Sequence, residues 1–317
     1  MDVLGQLYVR TTKQELGIPR AYRHFRKVQM AEGHLALYGV IRNESLRQLT
    51  SVISTSVAKI DFLRARRSVM RLLQLSTNPI LALQGISENV AGLDSGVVDQ
   101  VLLEGPSLKM RAVEQHAREL AGAGHKVVIW TIFTDTLHEL ERMLADLNPV
   151  TLYGAVPNGE ETDLSTREGR IRRFHRDQAC MALIANPAAA GEGISLHTVC
   201  HDAIYVDRSY VSTHYLQSID RIHRLGLPPD VETNIYIYQT KAPPGLGSID
   251  YSVNRRLASK LRALQQLLDD QDLHEVALDE ENADDPLDYD VQLQDLIDLV
   301  AELEGRSDAI GADEDET

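Results

Sequence analysis

The 317-residue sequence is poor in several features, and each shortage removes a class of protein. It has only two cysteines, Cys180 and Cys200, both in apolar stretches, with no CxxC pair and no histidine at metal spacing. That favours two reduced, buried thiols over a disulfide framework or a zinc site. No apolar run approaches the ~20 residues of a membrane span. Met1 to Gly17 carries Arg10, Lys13 and Glu15 where a signal peptide needs an apolar stretch, so a cytoplasmic protein without membrane contact is expected. A Gly-x-x-x-x-Gly-Lys-Ser/Thr loop is also missing. Gly122-Ala-Gly-His-Lys126 echoes it, but with the wrong spacing and ahead of a strand where a phosphate loop must follow one. The acidic clusters Asp279-Glu-Glu and Asp313-Glu-Asp-Glu lie in the tail, not at a strand end. Such a chain is expected neither to cradle the phosphates of a nucleoside triphosphate nor to hold Mg2+ on its own.

What is present is ordinary in composition, with 43% hydrophobic and 25% charged residues, but uneven in charge. From Asp269 onward there are 20 acidic residues and one basic residue, Arg306, so this tail carries −19 of a total of −15 and leaves +4 on the rest. A mildly basic body permits contact with a phosphate backbone, whereas the tail repels one. The tail reads as a solvated extension or a docking segment for a protein partner.

Periodicity then organises the chain. Leu46 to Leu75 has apolar residues recurring at three and four, which predicts a helix ended by Asn78-Pro79. Ser107 to Ala121 predicts another. Lys126 to Phe133 is a short apolar run rich in β-branched and aromatic residues, suited to a strand buried on both faces. Further strands are expected at 150–153, 180–185, 203–207 and 233–239, with helices at 135–147, 165–176 and 249–268. Alternating strand and helix predicts a doubly wound parallel α/β layer. Three regions follow: residues 1–106, mainly helical; residues 107–268, the α/β layer; and residues 269–317, an acidic linker. In this last region Leu293, Leu296, Ile297, Val300 and Leu303 share one helical face. That stripe is too short to fold alone and is expected to dock on the body or on a partner.

Three stretches could carry chemistry. Gln217-Ser-Ile-Asp220-Arg221-Ile-His223-Arg224-Leu-Gly226 places two arginines three apart, which on a helix share a face. Two planar guanidiniums so placed can bind one phosphate group together. The alternative is a surface helix with an ordinary Asp220–Arg224 ion pair. Asn186-Pro-Ala-Ala-Ala-Gly191-Glu192-Gly193-Ile-Ser195 follows a predicted strand, and its glycines allow close backbone approach to a ligand or merely a tight turn. Thr131 and Thr134 stand at the carboxyl end of a strand, where parallel sheets bind ligands.

Taken in order, these stretches resemble the second RecA-like lobe of the Swi2/Snf2-type superfamily 2 helicases. Lys126 to Leu144 is similar to the family's motif IV. Tyr153-Gly154 with Arg167, Ile171 and Phe174 resembles its G…R…I…F element. Residues 185–196 resemble motif V, residues 203–210 the following strand with Asp207, and Gln217 to Gly226 motif VI. Ser248 to Lys260 resembles the closing helix, and Val9 to Pro19 the segment that ends the first lobe. The pattern covers roughly residues 1–265. Asn186-Pro187 and Ala190 depart from the usual motif V, and the departures suggest a divergent, bacterial-type branch.

The resemblance implies an ATP-driven DNA translocase whose first lobe, on another polypeptide, holds ATP and Mg2+. It implies that Arg221 and Arg224 act as arginine fingers. Gly191, Glu192, Gly193, Gln217 and Asp220 would contact the nucleotide. Thr131, Thr134, Asn186 and Ser195 would lean on double-stranded DNA. A degenerate lobe acting as a DNA- or protein-binding adaptor, or a truncated helicase, are the alternatives.

Overall fold

The computed structural model describes residues 17–54, 59–84, 93–189, 194–268 and 291–306. Its elements run β1 (Ala21–Gln29), α1 (Glu32–Ser54), α2 (Lys59–Thr77), α3 (Pro79–Gln84), α4 (Ser95–Glu104) and α5 (Leu108–Gly122), then β2 (Lys126–Trp130), α6 (Thr134–Met143), β3 (Val150–Leu152), α7 (Arg167–Arg176) and β4 (Ala182–Ala185). They close with β5 (Cys200–Tyr205), α8 (Ser212–Ile219), β6 (Thr233–Lys241), α9 (Ile249–Leu268) and α10 (Leu293–Leu303).

The six strands form one sheet in the order β1-β6-β5-β2-β4-β3, and every pairing is parallel. Strand β2 shows why the sheet is doubly wound. Val127 and Ile129 point into a core built with Met110 and Val113 of α5 and Leu137 and Leu140 of α6. Val128 and Trp130 point the other way, into a core with Phe174 of α7 and Ile219 of α8. With both faces covered, an uninterrupted apolar strand is the stable solution. Cys180 and Cys200 are free and buried, as expected, and burial pushes the Cys200 thiol up to about 12.

Two parts of the first hundred residues differ from expectation. No strand is predicted before Lys126, yet β1 forms the sheet edge, paired along its whole length with β6. Its signal is weak because an edge strand needs no continuous apolar face, and Arg23, Arg26 and Lys27 stand exposed or half-exposed on it. The single helix predicted over Leu46–Leu75 is two helices, α1 and α2. Both keep three-four spacing because their stripes bury against a common core that includes Leu37, Ile41, Leu49, Val69, Leu72 and Leu73. Pro79 opens α3 at the first helical position, where a missing N–H costs nothing.

A buried polar junction ties this helical layer to the sheet. Lys109 of α5, 1% exposed, pairs with Asp250 of α9, 6% exposed, at 2.8 Å. Asp250 also accepts from the backbone N–H of Thr240 on β6 at 2.7 Å and from the hydroxyl of Ser76 on α2 at 3.2 Å. The Thr240 hydroxyl donates back to the Ser76 carbonyl at 2.8 Å, and Ser107, which caps α5, donates to the Thr77 carbonyl at 2.6 Å. A buried charge pair is tolerable only when its remaining hydrogen-bonding capacity is filled, and here groups from α2 and β6 fill it.

The tail helix α10 packs on α1 and α9, so the docking partner of its stripe is the body. The face differs from the predicted one. Leu296, Leu299, Val300 and Leu303 are buried, while Leu293 and Ile297 stay exposed. Two acidic residues set this rotation. Asp295 is fully buried, accepts from Arg256 at 2.5 Å and pairs with Lys260 at 3.1 Å, and Glu302 pairs with Arg255. Gly247, at φ +67°, lets the chain pass against the carbonyl of Glu302, since a Cβ there would lie 2.1 Å from that oxygen.

Two outcomes follow. Asp250→Ala leaves Lys109 buried without its partner and should cost roughly 3–5 kcal/mol in chemical denaturation, with Lys109→Met in the same background recovering part of the loss. Gly247→Ala should undock α10, read as faster amide hydrogen exchange over 293–303 with the sheet's protection unchanged.

Candidate nucleotide and nucleic-acid site

The carboxyl end of the central strands is organised by Asp207, just past β5. Its carboxylate accepts from the Thr131 hydroxyl at 2.8 Å and from the Ile132 backbone N–H at 2.7 Å. Those two bonds fix the turn between β2 and α6. Burial raises the Asp207 pKa to about 6, against the hydrogen bond from Ile132 and the nearby Lys109 charge, which both favour the ionised form. Beside it, Asn186 at the end of β4 donates its side-chain amide to the Ile132 carbonyl at 3.0 Å and accepts from the Ala188 N–H at 2.9 Å.

These bonds change the reading of the predicted DNA-contact residues. Thr131 is fully buried and its hydroxyl is committed to Asp207, so the side chain is not presented at the surface. Asn186 is half-buried and uses both ends of its amide to shape the turn. Thr134 is exposed at the first residue of α6, where free backbone N–H groups favour an anion. Ser195 is half-buried, with its hydroxyl 2.8 Å from Nδ1 of His197. Gly191, Glu192 and Gly193 lie outside the described residues.

The arginine pair is arranged differently from the helical reading. Helix α8 ends at Ile219, so Arg221 and Arg224 follow it on a turn and do not share a helix face. Asp220 closes the helix through its backbone N–H to Leu216, and Gln217 is half-buried on the last turn. The turn carries the arginines to the segment that follows residue 193. The Leu196 N–H donates to the Arg221 carbonyl at 2.8 Å, and Nη1 of Arg221 donates to the Ile194 carbonyl at 3.3 Å. Arg224 is exposed and has no ion-pair partner among the described residues, so the Asp220–Arg224 bridge is not formed. Burial, and then the nearby Arg224 charge, hold the His197 imidazole below its usual range. Gly226, at φ +102°, packs against His197, where a Cβ would sit 3.2 Å from Nε2. Two separate sequence stretches, 194–197 and 217–226, are thus joined into one exposed corner with Arg221 at its base and Arg224 on its rim.

Sequence reasoning missed His197, which links these stretches, and Arg208. Arg208 is nearly buried over the Tyr215 ring at 5.2 Å and donates to Asn254 at 2.8 Å. Neither has a spacing signal, since each partner lies on an element brought near only by the fold.

The folded state holds the Asp207 proton more tightly than an unfolded aspartate, so this residue favours folding at low pH and costs stability as pH rises from about 4 to about 6. Compared with Asp207→Asn, the native chain should therefore lose roughly 1–3 kcal/mol across that window, measured by denaturation at stepped pH.

No protein-family model matches the chain. Individual relatives do. Helicase SWR1 of Mycosarcoma maydis is 29% identical over 145 residues, 45% of this chain and 7% of that protein. Helicase swr-1 of Neurospora crassa is 28% identical over 174 residues, 54% of this chain and 8% of that protein, and Helicase domino of Drosophila melanogaster is 29% identical over 123 residues, 39% of this chain and 4% of that protein. The chain spans less than a tenth of the length of these three relatives. They are eukaryotic and give the bacterial-type branch no support. Among solved structures, the C-terminal part of the Fun30 ATPase domain aligns with a TM-score of 0.54 at 18% identity, covering 76% of this chain and 90% of that one. The Sulfolobus solfataricus SWI2/SNF2 ATPase C-terminal domain aligns with a TM-score of 0.51 at 18% identity, covering 78% and 90%. Sheet order, motif order and these matches together make the chain a relative of the Swi2/Snf2-type helicases, with the RecA-like fold of their C-terminal ATPase lobe.

Proposed function

We propose that the chain is the second motor lobe of an ATP-dependent DNA translocase. It would close on a first lobe, carried by another chain or by a longer form of this one, that holds ATP and Mg2+. The observation that carries this reading is the corner at residues 194–197 and 217–226. An always-charged guanidinium, Arg221, is seated against backbone at Ile194, and a second, Arg224, stands exposed beside it. Arginines placed against a transferring phosphoryl group supply roughly 10³–10⁵ in rate. Among the described residues no group of three or more His, Cys, Asp or Glu side chains that could hold a metal occurs, and in this reading Mg2+ arrives with the nucleotide phosphates on the first lobe. The Sulfolobus SWI2/SNF2 ATPase core was solved in complex with double-stranded DNA, and 87% of this chain aligns with half of it at a TM-score of 0.50. That supports duplex DNA as the track.

Within this reading, closure brings Arg221 and Arg224 toward the γ-phosphate, while Thr134 at the start of α6 faces the nucleic-acid backbone. Asp207 and Asn186 hold the β2–α6 turn and are positioning residues. A non-catalytic adaptor is the second reading. It is favoured by one observation, that Thr131 and Asn186 spend their hydrogen bonds inside the fold.

In a reconstituted pair with a first-lobe protein, Arg221→Ala should lower DNA-stimulated ATPase by about 10³-fold, while the chain stays folded and loses only about 1 kcal/mol of stability with the hydrogen bond to Ile194. Arg221→Lys should restore little, since an ammonium cannot reproduce the planar fork. Turnover unchanged by Arg221→Ala would remove the arginine-finger assignment and favour the adaptor.

A further inference from the structure

Helix α2 carries a basic face that the motor reading leaves unused. Its inward side is Ala65, Ser68, Val69, Leu72, Leu73 and Ser76, all buried. Its outward side presents Arg64, Arg67 and Arg71, spaced by three and then four residues, so that they lie in a row. Arg66 adds a fourth guanidinium within eight residues, and no acidic residue interrupts the run from Leu63 to Thr77. Arg67 is exposed and Arg71 half-exposed, and neither has a hydrogen-bonding or ionic partner among the described residues. Arg67 and Arg71 stand four apart, and like charges at that spacing destabilise a helix unless an anion lies across them.

The position of the row matters as much as its charge. The carboxyl end of α2 is tied to the carboxyl end of the sheet through Ser76, which meets Asp250 and Thr240, and through Thr77, whose carbonyl accepts from Ser107. The arginine row therefore extends from the same end of the sheet that bears Thr134. A rigid, regularly spaced row of guanidiniums fits a ligand with regularly spaced anionic groups.

We propose that the Arg64–Arg67–Arg71 face of α2 is a second contact for the phosphate backbone of duplex DNA, separate from the corner at Arg221 and Arg224. The proposal rests on the DNA-translocase reading. Because the helix is fastened to the sheet, the contact would move with the lobe and read no base sequence.

The test uses the full chain and a fluorescein-labelled 24-base-pair duplex of arbitrary sequence, with binding followed by anisotropy from 50 to 300 mM NaCl. Arg67→Ala/Arg71→Ala should weaken binding by at least about tenfold at 100 mM salt and lower the slope of log K against log salt by about 2, one per lost phosphate contact. Arg67→Lys/Arg71→Lys should keep most of the affinity and the native slope. Circular dichroism should show both variants folded, as expected for side chains on the outer face. Native binding with an unchanged slope in the alanine variant would overturn this site and leave the translocase reading standing. No duplex binding by the native chain would overturn both.

Discussion

The buried pair Lys109–Asp250 is the constraint on which the rest of the structure depends. It sits where α2, α5, α9 and β6 meet, and its carboxylate is shared between an ammonium, a backbone N–H and a hydroxyl. Two charges are held out of water, so the elements that supply their partners cannot separate without a large penalty. The junction converts a helical layer and a parallel sheet into one body. The Lys109 charge also reaches Asp207, whose carboxylate sets the turn from β2 into α6. The polar chemistry that fastens the layers is therefore continuous with the chemistry that shapes the sheet's carboxyl end.

That continuity has a mechanical consequence. In the proposed motor reading, a lobe that pushes on DNA must transmit a change at its arginine corner without yielding internally. Here the corner at 194–197 and 217–226 is backed by strands buried on both faces, and the helical layer is locked to the same sheet. Helix α10 adds a further brace. Its acidic side chains Asp295 and Glu302 are drawn inward onto Arg256, Lys260 and Arg255 of α9, so part of a tail rich in negative charge is neutralised against the body.

The sequence made the sheet legible wherever burial on both faces forced an apolar run. Lys126 to Trp130 and Ala182 to Ala185 announce themselves in this way, whereas β5 was read only from Ala203 because His201 and Asp202 interrupt its apolar run. Strand β1 did not, because one side of an edge strand faces solvent and its residues can be Arg, His and Lys. Helix α10 was legible as a helix but not in rotation, since an acidic residue inside a packed face cannot be foreseen without its basic partner on another element. For the same reason Lys109 and Asp250, 141 residues apart, gave no sign of each other. The candidate site was legible as a set of stretches, through motif order. Its geometry was not, because α8 stops at Ile219 and delivers Arg221 on a turn, and because Thr131 turns inward to Asp207.

The central claim is that this lobe completes a nucleotide site whose phosphate-binding half lies elsewhere. The most direct measurement is DNA-stimulated ATP hydrolysis by the purified chain, alone and mixed with a first-lobe protein bearing a phosphate-binding loop. The account predicts turnover only in the mixture, dependent on duplex DNA. Hydrolysis by the chain alone, or a silent mixture in which the two proteins bind each other and DNA, would contradict it.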